Sequence, residues 1–222
     1  MNANKTILIT GAAGNLGTAV VEKFLDEGYN VIATAQHKSE IPSRENLEVV
    51  ELNVFDEKAC HEFVNELIKK YSQINAAALL VGGFAMGKLE ETTDESLQKM
   101  IQLNFLSAFH LATPLFKHFS ENKSGKIILM GAMGALNPSA GKNMIAYSLS
   151  KSMLFQFNGL LNAAGKDLHV NSLVIAPSTI DTPQNRTAMP DADFSKWNQP
   201  TDIAQTMLEF CEGSRSEEVI KL

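Results

Sequence analysis

Cysteine is scarce in this chain, with only Cys60 and Cys211, far apart in sequence. That excludes a disulfide framework and a cysteine-ligated metal centre, so both read as ordinary reduced thiols and no metal site is expected. Long apolar runs are missing too. None approaches the roughly 18 residues a membrane span needs, so no membrane partner is expected. The opening Met1-Asn2-Ala3-Asn4-Lys5 lacks the apolar centre of a signal peptide, which points to a cytoplasmic protein. Basic clusters are absent and the formal net charge is −6, which argues against nucleic acid as a partner. Linkers rich in Pro, Gly or Ser, internal repeats and low-complexity segments are also lacking. The 222 residues therefore read as a single domain, 1–222, long enough for a full core.

What the chain does have is a glycine turn near its start, Thr10-Gly11-Ala12-Ala13-Gly14-Asn15-Leu16-Gly17. A β-branched run, Lys5 to Ile9, precedes it. Thr18 to Leu25 follows, with apolar residues at helical spacing. Strand, glycine turn and helix in this order let the backbone bend sharply and approach a ligand. The helix then begins with its free N–H groups facing the turn, a site suited to a pyrophosphate. Gly11, Ala13, Gly14, Asn15, Leu16 and Gly17 are the candidate contacts. The competing account is a strand–helix turn whose glycines serve packing alone.

Strand-like and helical patterns alternate to the end of the chain. Strands are expected at Asn30–Ala35, Leu47–Val54, Asn75–Val81, Lys126–Met130, His169–Ile175 and Val219–Leu222. Helices are expected at Glu57–Tyr71, Tyr147–Ala164 and Thr201–Cys211, with Asp94–Phe119 as one long helix or two abutting ones. Such alternation implies right-handed crossovers and a doubly wound α/β fold of the Rossmann type. Its mostly parallel sheet would have about seven strands, with helices on both faces. Ligands bind such sheets beyond the carboxyl ends of the strands, so the residues there are the informative ones.

After the second strand, an acidic residue would normally hold the ribose of NAD. Here Gln36 stands instead, with Lys38 and Arg44 nearby. Losing the carboxylate removes repulsion against a 2′-phosphate, so NADPH is favoured over NADH, unless Lys38 is only a solvated loop charge. After the third strand, Asn53-Val54 either reads an adenine edge or forms a plain turn. After the fourth, Gly82 and Gly83 let the backbone pass close to a flat ligand, and Phe84 and Met86 either line a substrate pocket or simply pack.

Tyr147 and Lys151 are one helical turn apart and therefore neighbours. A cation beside a phenol lowers its pKa, which suits Tyr147 to act as a general acid. With the glycine turn, this pair resembles the short-chain dehydrogenase/reductase family over nearly the whole chain. Gly82-Gly83, Asn104, Asn171, Pro177 and Thr182 add to the likeness, although the second glycine of the turn falls one residue early. The resemblance implies that Tyr147 is the acid and that Lys151 binds the nicotinamide ribose. It implies that Asn104 holds a proton-relay water and that Pro177, Thr179 and Thr182 touch the nicotinamide end.

One position departs. The family places a serine after the fifth strand, and here Gly131-Ala132 stands in its place. Within the family, the dihydropteridine reductases also lack that serine, and they carry a similar Gly-Gly-aromatic stretch. Their lid segment closely resembles Asp181-Thr182-Pro183-Gln184-Asn185-Arg186 through Met189-Pro190 to Trp197. The loop from Ala132 to Tyr147 looks about two residues longer than theirs. The resemblance implies an NAD(P)H-dependent reductase of quinonoid dihydropterin or a similar flat acceptor, with Phe84, Ala132, Met189 and Trp197 as substrate contacts. A carbonyl or quinone reductase, and a non-catalytic NAD(P)-binding redox sensor, are the alternatives. A homodimer is expected, because Leu154, Phe155, Phe157, Leu160 and Leu161 exceed one narrow apolar stripe.

Overall fold

The computed structural model describes residues 5–71 and 73–222. In chain order the main elements are β1 (Thr6–Thr10), α1 (Asn15–Asp26), β2 (Asn30–Ala35), β3 (Leu47–Glu51), α2 (Glu57–Tyr71) and β4 (Ala76–Leu79). There follow α3 (Asp94–Ile101), α4 (Ser107–Asn122), β5 (Gly125–Met130), α5 (Met133–Leu136), α6 (Pro138–Gly141) and α7 (Ile145–Gly165). The chain closes with β6 (Val170–Ala176), α8 (Pro183–Ala188), α9 (Pro200–Cys211) and β7 (Val219–Lys221). The strands form one seven-stranded sheet in the order β3-β2-β1-β4-β5-β6-β7. Every pairing is parallel, whereas the sequence pointed to a mostly parallel sheet.

Two cores cover the two faces. Ile7, Ile9, Val31, Ala33, Ile128 and Ile175 meet Val20, Phe24, Ile203 and Met207 from α1 and α9. Leu8, Ile32, Ala77, Ile127, Leu129 and Val174 meet Phe63, Val64, Leu111, Leu115 and Leu154 from α2, α4 and α7. Both faces of each inner strand are buried, which is why these strands read as continuous apolar runs. Packing both faces leaves only the strand ends open for a ligand.

Several boundaries shift. β3 stops at Glu51 and β4 at Leu79, so Leu52 to Val54 and Leu80 to Val81 are free to turn outward at the carboxyl edge. Of the two readings for 94–119, one long helix or two abutting ones, the structure has two helices, joined by a π-helical turn at Gln102–Leu106. The extra residue in that turn has a consequence for the site, because Asn104 sits in it and is buried. Of the five apolar residues singled out on α7, Leu154 and Leu161 are core, Phe155 and Phe157 are half-buried, and Leu160 is exposed. Among the described residues no helix is long and apolar enough to cross a membrane.

Candidate active site

The glycine turn forms the floor of a cleft of about 680 Å³ at the carboxyl edge of the sheet. Gly11 takes a positive φ of 63°, which a side chain would strain. Gly17 is packed so closely that a Cβ there would lie 2.1 Å from the Gly11 carbonyl oxygen. Gly14 caps α1 without a side-chain acceptor, and no acidic residue occupies the first turn. The free N–H groups and positive end of α1 therefore face the turn unneutralised, as an anion site requires.

The cleft is lined by Gly11, Ala13, Gly14, the chain from Thr34 to His37, Glu40, the chain from Glu51 to Phe55, Leu80 to Gly82, and Leu103. Of the sequence candidates, Gly11, Ala13, Gly14, Gln36, Asn53, Val54 and Gly82 lie in its wall. Asn53 forms the local turn and also lies in the cleft wall. Its Oδ1 accepts the Phe55 amide at 3.1 Å in a local turn, while the residue still lines the cleft. His110 on α4 steadies this loop by donating from Nδ1 to the Val54 carbonyl at 3.1 Å. Lys38 does not form part of the wall; its backbone amide donates to Glu51 Oε1 at 2.9 Å.

The cleft runs toward a buried polar cluster. Asn104 Oδ1 accepts the Gly83 amide at 2.8 Å, and its Nδ2 donates to Ser150 Oγ at 3.0 Å. Ser150 in turn donates to the Tyr147 carbonyl at 2.8 Å. Lys151 donates to the Met130 carbonyl at 2.6 Å from a nearly fully buried position. Gly82 must be glycine here: a Cβ would sit 2.7 Å from Asn104 Oδ1 and 3.2 Å from Lys151 Nζ. β4, the π-turn, β5 and α7 thus converge and bring Asn104 and Lys151 together beside Gly82, with Tyr147 one helical turn before Lys151 on α7. Sequence reasoning missed Ser150. The signal was present, since a serine one residue before Lys151 lies on the inward face of α7, but its partner is set by the π-turn.

The charge states differ from expectation. Tyr147 was expected to have a lowered pKa, yet burial pushes its phenol up to about 12. Burial also brings Lys151 down to about 8. The ammonium is aimed at the Met130 carbonyl, and desolvation is what moves the phenol.

The substrate side is apolar. Phe84 stacks edge-on against Tyr147, ring centroids 5.0 Å apart, and remains more than half exposed. Met86 is also exposed, and Gly87 pairs with Met144 to join this loop to the start of α7. Ala132 is buried at the end of β5 and offers no hydroxyl. Ser139 is exposed, its amide held in a local turn by Asn137 Oδ1. Pro177 is tied to this end of β5 by its carbonyl, which accepts the Met133 amide at 3.0 Å.

Thr182 caps α8 by accepting the Asn185 amide, and Thr179 accepts the Asn198 amide at its carbonyl. The segment from Asp181 to Trp197 is braced internally. Asp181 takes both Arg186 Nε and Nη2, at 2.6 and 2.7 Å, and the Arg186 guanidinium lies over Phe194. Hydrogen bonds from Arg186 and Gln199 hold the Asp181 carboxyl down at about 2. Trp197 packs on Phe194, and exposed Met189 ends α8. The segment is anchored to the glycine turn by Asn15, whose Nδ2 donates to Gln184 Oε1 at 2.7 Å. Among the described residues no three His, Cys, Asp or Glu side chains gather as metal ligands.

The comparisons agree with this geometry. Residues 5–193 match the family model described as short chain dehydrogenase. A dihydropteridine reductase of Dictyostelium discoideum is 31% identical, with 96% of this chain and 90% of that protein covered. A 3-oxoacyl-[acyl-carrier-protein] reductase of Thermotoga maritima is 24% identical, covering 92% and 89%. The solved structure of ElxO with NADP bound superposes with a TM-score of 0.87 at 21% identity, covering 99% and 97% of the two chains. This chain belongs to the short-chain dehydrogenase family.

Proposed function

We propose that this oxidoreductase is an NAD(P)H-dependent reductase of a flat, conjugated acceptor, with quinonoid dihydropterin as its substrate. The observation that carries the reading is Asn104 and Lys151 gathered beside Gly82, Tyr147 one turn before Lys151 on the same helix, and Ala132 where a carbonyl-polarising serine would stand. An electron-poor conjugated ring needs no such hydroxyl, whereas a simple ketone does. The 31% identity to the Dictyostelium discoideum dihydropteridine reductase supports the same choice.

The residues fit a dinucleotide. Gly11, at positive φ, and the closely packed Gly17 allow the tight turn, and α1 presents uncapped N–H groups to a pyrophosphate. Asn53 and Val54 line the adenosine end, and Gly82, Lys151, Pro177, Thr179 and Thr182 would hold the nicotinamide end. When bound, the dinucleotide supplies the hydride. Tyr147 supplies the proton: with its pKa raised, the phenol is fully protonated at neutral pH, the form a general acid needs. Lys151 is bonded to Met130 and fixed by its burial, so it presents a constant point to the ribose. Asn104, held at both ends, keeps the Gly83 backbone and α7 in register. Phe84 shields the phenol from water on one side.

A homodimer belongs to this reading. Leu149, Met153 and Leu160 are exposed along α7, and Phe105, Phe109 and Phe157 form a half-buried aromatic cluster next to them. A monomeric mass by light scattering would remove it. The function itself is tested by following NADH and NADPH oxidation with quinonoid dihydropterin generated in the cuvette, beside a quinone and a simple ketone. Fast turnover of the pterin alone is expected. Turnover of ketones with none on the pterin would overturn the reading.

A further inference from the structure

At the adenosine end of the cleft the charges are negative. The wall contains two carboxylates, Glu40 and Glu51, and no lysine or arginine. Glu51 ends β3 in register with Ala35, the last residue of β2, and so stands one strand across from Gln36. Its Oε1 accepts the Lys38 amide at 2.9 Å, which leaves Oε2 without a hydrogen bond among the described residues. The nearby cations lie outside the wall. Arg44 pairs with Asp26 at 3.4 Å on the surface. The Lys38 ammonium acts on Glu48. Burial opposes ionisation of that carboxyl, yet the hydrogen bonds of Lys70 and Tyr71 and the charges of Lys70 and Lys38 keep its pKa low.

Taking the cleft as a dinucleotide site, we infer that Glu51 does from β3 what an acid at the end of β2 would do, and with Glu40 selects NADH over NADPH. A free carboxylate oxygen accepts a hydrogen bond from a ribose 2′-hydroxyl. It repels a 2′-phosphate, and no cation in the wall offsets the repulsion. This reverses the preference for NADPH suggested by Gln36 and Lys38. The reversal arises because the register of β2 and β3 carries an acid across to the same place.

Equilibrium titration calorimetry of the full chain with NADH and with NADPH tests this without turnover. Glu51→Gln is the informative variant, since its amide oxygen still accepts the Lys38 N–H and the loop is kept. Wild type is expected to bind NADH at least about tenfold more tightly than NADPH. Glu51→Gln should lose most of that ratio, chiefly by binding NADPH better, and adding Glu40→Gln should remove the rest. The wild-type ratio should also shrink as ionic strength rises. Equal affinities, a preference for NADPH, or a ratio unchanged in Glu51→Gln would overturn the inference. If wild type binds neither dinucleotide, the reading of the cleft fails and this inference with it. If NADH binds selectively but the pterin is not turned over, the inference stands and only the choice of acceptor falls.

Discussion

Asn104 Nδ2 donates to Ser150 Oγ at 3.0 Å, and both side chains are almost completely buried. This bond ties the π-turn between α3 and α4 to α7, which carries Tyr147 and Lys151. Removing the hydroxyl in Ser150→Ala leaves a buried amide hydrogen unpaired, at a cost of about 1–3 kcal/mol. Urea denaturation should show that loss. Steady-state kinetics should show kcat falling while dinucleotide affinity is kept, because Asn104 loses its tie to α7. Unchanged stability and kcat would mean that Ser150 holds nothing.

Tyr147→Phe should lower kcat by roughly 10²–10⁴, the usual contribution of a positioned acid, and leave dinucleotide affinity near wild type. The fold should be unaffected, since the phenol oxygen makes no hydrogen bond among the described residues. Near-wild-type turnover in this variant would remove Tyr147 from the mechanism.

Lys151 sets function against stability. Its pKa in the fold, about 8, lies below the ordinary 10.5, so the folded state holds its proton less tightly than the unfolded chain does. The cost of the buried charge is full below pH 8 and is relieved as pH rises from 8 to 10.5. Lys151→Met should therefore stabilise the protein at pH 7 by about 1–3 kcal/mol, after allowing for the lost donor to Met130. The advantage should fade toward pH 10.5, and the variant should be nearly inactive. Thermal melts at several pH values read the trend, and a destabilised variant at pH 7 would contradict it.

His118 on α4 accepts the Ile74 amide at Nε2, 3.2 Å away, at the entry to β4. Burial lowers its pKa, and Glu121 only partly opposes this. A depressed folded pKa means stability is complete above the ordinary value near 6.5 and is lost as pH falls below it. Urea midpoints at pH 7.5 and 5.5 should differ in wild type, and the difference should narrow in His118→Gln, whose amide oxygen accepts the same N–H without titrating. An equal step in both proteins would clear His118.

Gly17→Ala should be severe, because its Cβ would lie 2.1 Å from the Gly11 carbonyl oxygen and neither backbone can yield freely. Overpacking of this kind costs about 1–3 kcal/mol or more, and it reshapes the turn that faces the pyrophosphate. Calorimetry should show dinucleotide binding lost even where the fold survives at low temperature. Retained binding would show that the turn tolerates the strain.

Much of the architecture was legible before any coordinates. Apolar runs buried on both faces, a glycine turn between strand and helix, and the spacing of Tyr147 and Lys151 are local patterns, and local patterns survive in sequence. They determined the strand–helix alternation, the position of the cleft and the helix that carries Tyr147 and Lys151. Other features depend on residues distant in sequence, and only the tertiary structure decided them. The π-turn left no mark of its own, because an extra residue per turn leaves the apolar pattern nearly unchanged, yet it turns Asn104 onto Ser150. The raised pKa of Tyr147 could not be read from a neighbouring lysine, because burial and the aim of that lysine at Met130 are set by β5. The place of Glu51 carried no signal in the sequence, since strand register, not spacing along the chain, sets it beside the end of β2. Sequence determines which groups a chain has and which lie one turn or one strand apart; charge, burial and register act through space, and those only the packed sheet decides.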